Sequence, residues 1–171
     1  MSEDSLEDVI RTISVMIEVE KTVGHFYRSC SEVFFQDSDF WKRLSDEEAL
    51  HADVLAQLAR MIARKPHKFE PGKLFSTTAL RTFISRILSD SERLKNGDLT
   101  MHNALLVAYH LETTIIEYGY TRIVGTDEPK YLEALENLEA ATIKHRGRIK
   151  DKMQEYGKSK EIPPAKPSAV Q

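Results

Sequence analysis

The sequence predicts an all-α fold, a four-helix bundle with one crossover connection that carries an extra helix. Three observations predict it. Apolar residues recur every three or four positions along most of the chain, the period of one helix face. Only 7 Gly and 6 Pro punctuate 171 residues, too few for a many-stranded β fold, which needs a turn about every 8–12 residues. Four of the periodic segments run roughly 25–30 residues, a length that exposes lone helices but suits helices packed side by side.

The first segment extends from about Ser5 to Phe34, with Leu6, Ile10, Ile13, Ile17, Val23 and Tyr27 in register. Gln36-Asp37-Ser38-Asp39 breaks it and offers Ser38 or Asp39 as the next cap. The second segment, near 39–64, carries Trp41, Leu44, Leu55, Leu58 and Ile62 and must fail before Pro66. Residues 65–75, with two prolines and Gly72, read as a loop. Ser76 or Thr77 starts the crossover helix, which bears Leu80, Phe83, Ile84, Ile87, Leu88 and Leu94 and closes at Asn96-Gly97. Asp98 is the expected cap of the next segment, near 99–124, which includes Leu105, Ala108, Ile115, Gly119 and Ile123. Gly125 to Pro129 stops it and starts the last segment, near 129–156, with Leu132, Leu135, Leu138, Ile149 and Met153. The domain thus spans 1–156, and residues 157–171, rich in Lys and Pro, read as a disordered tail.

Hydrophobic residues at 41% allow a real core beside 30% charged residues. A net charge of −3 offers no general attraction to nucleic acid or to an anionic membrane. The single cysteine, Cys30, excludes an internal disulfide, a Cys-rich zinc site and a four-Cys iron site. Met1-Ser2-Glu3-Asp4 lacks the basic start of a signal peptide, and no apolar run approaches the ~18 residues of a membrane span. A cytoplasmic protein is the expectation. Phosphate-cradling and nucleophile-elbow motifs are absent from the sequence.

The informative residues are polar ones inside apolar stripes. At 100° per residue, Glu20 falls in the middle of the first stripe while Glu18 points away. Glu48 and His51 lie within the second stripe, Glu112 within the fourth segment's, and Thr142 and His145 within the last. Each long helix therefore brings one or two polar groups to the axis near mid-length. A buried, unpaired ion costs several kcal/mol, against a domain stability of roughly 5–15 kcal/mol. Compensation must come from a metal, from shared protons at raised pKa, or from a buried partner such as Arg146. Carboxylates mixed with imidazoles suit iron, manganese or zinc better than calcium. Glu48-Ala49-Leu50-His51 is a Glu-x-x-His pair whose i, i+3 offset lets both side chains reach one ion. Glu20 precedes Glu48 by 28 residues and Glu112 precedes Thr142 by 30, so the halves read as a degenerate duplication.

This constellation resembles the rubrerythrin branch of the ferritin-like di-iron carboxylate family. The likeness covers about residues 5–155 and rests on Glu20 followed by Phe26-Tyr27, on Glu47-Glu48-Ala49-Leu50-His51-Ala52, and on Glu112 with His145. It implies a ferritin-like bundle holding iron, with Glu20 and Glu112 as terminal ligands, His51 and His145 as imidazole ligands and Glu48 as a bridge. It also implies a homodimer with non-haem iron oxidoreductase chemistry on peroxide or dioxygen; Phe83, Ile84, Ile87 and Leu88 are the expected pairing face. The chain departs from the family at Thr142, where a second bridging Glu is expected, and at Ile115, where rubrerythrins carry another Glu. Glu139, one turn before Thr142, is the nearest substitute, unless it is a solvated neighbour of Glu133 and Glu136. No four-cysteine rubredoxin module is present in the sequence, so electrons would come from a separate protein. The competing expectation is a degenerate bundle that binds one metal ion or none and acts in metal buffering or partner binding.

Overall fold

A computed structural model describes residues 5–72, 76–119 and 123–161. Among the described residues the fold is all-α: five α-helices, α1 (Leu6–Val33), α2 (Ser38–Arg64), α3 (Thr77–Lys95), α4 (Met101–Tyr118) and α5 (Pro129–Glu161), with two three-residue strands, β1 (Phe69–Pro71) and β2 (Val124–Thr126). α1 pairs along its length with α2 and receives α3 on another face, α4 pairs with α5, and α2 and α5 join the two pairs.

Local chemistry sets most of the boundaries. Ser5 and Asp8 form a reciprocal capping box at the start of α1. Ser76 caps α3 through the Ala79 amide. At its end, the Gly97 amide donates to Leu94 O and the Asp98 amide to Arg93 O, with Gly97 at φ 79°. Two expected caps are corrected. Thr100, not Asp98, accepts from the Asn103 amide to start α4. Neither Ser38 nor Asp39 caps α2, which grows directly out of a 3-10 turn over Phe35–Asp37. Asp37 instead accepts an ion pair from Lys152 Nζ at 2.6 Å, tying α5 to the α1–α2 turn.

Three further expectations are revised. α4 ends at Tyr118 rather than near 124, because Gly119 takes the left-handed conformation at φ 59° and its amide turns back to Ile116 O. The stretch read as a loop contains β1, which pairs antiparallel with β2: Phe69 opposite Thr126, Glu70 opposite Gly125, Pro71 opposite Val124. This ladder seats the start of α5, where Phe69 meets Tyr131 edge-on at 5.1 Å. α5 also continues through Gly157 to Glu161, so the helix enters the segment expected to be a disordered tail; residues 162–171 lie outside the described residues.

Apolar residues of all five helices build one core around Trp41, Tyr27, Tyr131 and Phe26. Phe83 and Ile87 belong to it, so the crossover helix exposes mainly Leu88 rather than a broad apolar face. Cys30 is buried as a small hydrophobe, and burial pushes its thiol pKa well up. No described helix is long and apolar enough to cross a membrane.

Candidate metal centre

All five candidate ligands are buried: Glu20, Glu48, His51, Glu112 and His145, from α1, α2, α4 and α5. Glu18 and Glu117, on the outer sides of their helices, are exposed. Gly24, one turn after Glu20, explains how α1 and α2 come close enough to share the site. A Cβ there would stand 3.2 Å from Glu48 Cβ and 3.4 Å from Ser45 O, so any larger residue would make α2 give by a few tenths of an ångström beside the site.

Glu48 is the centre of the cluster. Its Oε2 accepts from His51 Nδ1 at 3.0 Å and its Oε1 from His145 Nδ1 at 2.8 Å. Behind these contacts, Glu20 Oε2 lies 3.9 Å from His51 Nδ1 and Glu112 Oε1 lies 3.7 Å from His145 Nδ1. The two imidazoles stack, with ring centroids 4.8 Å apart and planes inclined by 20°. One donor atom each from Glu48, His51 and His145 fall within 4.8 Å of one another, a grouping that could hold a metal ion.

The electrostatics follow from burial and from these contacts. Burial pushes the Glu48 carboxyl up, but hydrogen bonds with His145, His51 and Glu20 outweigh it and hold the group well below the usual carboxylate range. Glu112 is raised, by burial first and then by the Glu48 charge, against the opposing pull of His145 and Tyr27. Burial would lower His145, yet its contacts with Glu112 and Glu48 raise it to about 10. Geometry agrees: both ring nitrogens of His145 face carboxylate oxygens, so both carry hydrogens and the ring is an imidazolium. Metal-free, the cluster is a set of buried carboxylates with the His145 imidazolium among them.

Three further side chains complete the site: Glu47 and Arg148, which the sequence does not single out as parts of it, and Tyr27, which the sequence offers either as lining of a metal pocket or, more often at bundle spacing, as packing. Glu47 Oε2 accepts from His145 Nε2 at 2.6 Å, and Arg148 grips both Glu47 oxygens, with Nη1 to Oε1 at 3.1 Å and Nη2 on Oε2. Arg148, rather than the expected Arg146, is thus the arginine that serves the cluster. Tyr27 donates its hydroxyl to Glu112 Oε1 at 2.5 Å and lies against Trp41 at 5.8 Å. Its position two turns after Glu20 was the available signal. Glu112 Oε2 is buried with no hydrogen-bond partner, an acceptor that a cation would satisfy.

Thr142 is buried on the α5 stripe, but its hydroxyl donates to its own helix, to Leu138 O at 3.0 Å. It does not take the place of a carboxylate. Glu139 is half-buried and borders a small void with Thr142, Ile115, Ile116 and Gly119. Compared with models of protein families, with curated proteins and with solved structures, the chain matches none.

Proposed function

We propose that this chain is a metal-binding protein with a ferritin-like four-helix bundle of the rubrerythrin type, a non-haem iron oxidoreductase that reacts with peroxide or dioxygen and draws electrons from a separate donor protein. One observation carries the reading. Glu48 turns one oxygen to His51 and the other to His145, and each imidazole is backed by its own carboxylate, Glu20 or Glu112. Glu48 would thus be the carboxylate shared between two half-sites, with His51 and Glu20 completing one and His145 and Glu112 the other.

The donor set fits iron, with manganese or zinc as alternatives: three carboxylates and two imidazoles, all buried, with the unsatisfied Glu112 Oε2 among them. When bound, iron would supply the redox chemistry and the place for the oxidant. The chain's own residues do the rest. Glu47 and Arg148 hold the His145 ring with Nδ1 inward, Tyr27 holds Glu112, and the surrounding apolar core excludes water. The homodimer and a cytoplasmic setting belong to the same proposal.

A second reading is favoured by Thr142. With its hydroxyl on Leu138 O and the remaining groups hydrogen-bonded among themselves, the metal-free cluster is largely self-compensated. That suits a non-catalytic bundle holding one ion or none. Anaerobic titration of the apoprotein with ferrous iron separates the two. About two ions per chain, followed by consumption of added peroxide, supports the oxidoreductase. One ion or none, without peroxide consumption, supports the degenerate bundle.

A further inference from the structure

A buried site needs a way in, and one side of the molecule supplies it. A cavity of about 520 Å³ opens beside α5, lined by Glu47, Lys144, His145, Gly147, Arg148 and Asp151. His145 forms its inner end: the side chain is 1% exposed, with Nδ1 toward Glu48 and Nε2 toward Glu47. Glu47 is 33% exposed, so its carboxylate touches both solvent and the buried imidazole. Arg148 occupies that carboxylate from the outside, donating to both oxygens.

Gly147 lies in the cavity's lining. A glycine inside a helix costs roughly 0.5–1 kcal/mol relative to alanine, and packing does not demand one here, since a Cβ at this position would meet nothing within 4 Å. Its effect is to leave the cavity mouth without a side chain. A second cavity, of about 300 Å³, is bordered by Lys21, His25, Arg28 and Asp46; it does not reach a ligand, since the close α1–α2 contact at Gly24 stands between it and Glu48.

We propose that the cavity beside α5 is the port through which divalent cations reach the buried cluster, with Glu47 as the receiving carboxylate and Arg148 as the latch that holds it against His145. The inference rests on the metal-binding reading and goes beyond it, to how the site is loaded. An arriving cation competes with the Arg148 guanidinium for Glu47, and the freed carboxylate then leads toward His145 and Glu48. When the cation reaches the cluster, the hydrogen on His145 Nδ1 leaves as a proton to solvent, because only the unprotonated nitrogen can bind a metal.

The test is the loading rate of the full-length apoprotein with cobalt(II) alone, followed by visible absorbance after rapid mixing, with bound metal counted at the end. Gly147→Leu fills the mouth without touching a ligand. It should slow loading roughly tenfold, the lower end of what a focusing cleft contributes to association, and leave the final count unchanged. Gly147→Ala should load at the parental rate. Arg148→Met opens the latch and removes a cation from the mouth, so it should load faster than the parent by a similar factor. Circular dichroism verifies that each variant is folded. Parental rates in Gly147→Leu, or slower loading in Arg148→Met, would overturn the port while leaving the metal site standing. A parent that takes up no cobalt would remove both the site and its port.

Discussion

Glu48 on α2 and His145 on α5 meet at 2.8 Å, Oε1 against Nδ1, across 97 positions of sequence. The contact joins the two helix pairs through charge rather than apolar packing. Removing one partner of a buried pair strands the other, at a cost of about 3–5 kcal/mol. Glu48→Gln keeps the shape and loses the charge, so the apoprotein should lose stability by about that amount in urea unfolding. It should also lose its bound metal. A loss below about 1 kcal/mol would mean that the pair is only of surface strength.

Stability of the apoprotein should fall toward both ends of the pH scale. His145 is raised to about 10, so its contribution is complete below the ordinary histidine value and is lost as pH rises through about 10. Glu48 is depressed, so its contribution is present above the ordinary carboxylate value and is lost as pH falls through the depressed one. His145→Gln should flatten the alkaline limb of a urea-midpoint profile. An unchanged slope between about pH 6.5 and 10 in that variant would assign the effect elsewhere.

Tyr27→Phe removes the hydroxyl that serves Glu112 Oε1 and leaves the ring packed against Trp41. A buried acceptor left unsatisfied costs about 1–3 kcal/mol, and urea unfolding of the apoprotein should register a loss in that range. A neutral result would mean that Glu112 finds another donor.

Thr142→Glu supplies the carboxylate missing from the second half. In the apoprotein it should destabilise by about 1–3 kcal/mol, because a longer acidic side chain enters a buried position beside a small void. With metal the sign reverses: a second negative charge between two cations reduces their repulsion, so calorimetric titration should find tighter binding of the second ion. Equal or weaker binding would contradict the expected role of that position.

The burial of Glu20, Glu48, His51, Glu112 and His145 was legible, because a polar residue in the middle of an apolar stripe is carried inward with that face. Glu47 was harder to read. One residue from Glu48, it sits about 100° around the helix, where most side chains reach water, and only the placement of α5 gives it His145 and Arg148 as partners. Residue counting alone favours the first half, where Glu20, Glu48 and His51 form a full set. The supporting hydrogen bonds from Tyr27 and Glu47, however, fall on Glu112 and His145 of the second. The strands escaped because three residues are too few for an alternating pattern. The end of α4 escaped because Gly119 was counted in the stripe, whereas its positive φ makes it a cap.

Anomalous diffraction from crystals of the iron-loaded protein tests the central claim most directly. The account predicts two peaks inside the cluster, one at bonding distance from Glu48 Oε1 on the His145 side and one from Oε2 on the His51 side. A single peak, or none among these residues, would contradict it.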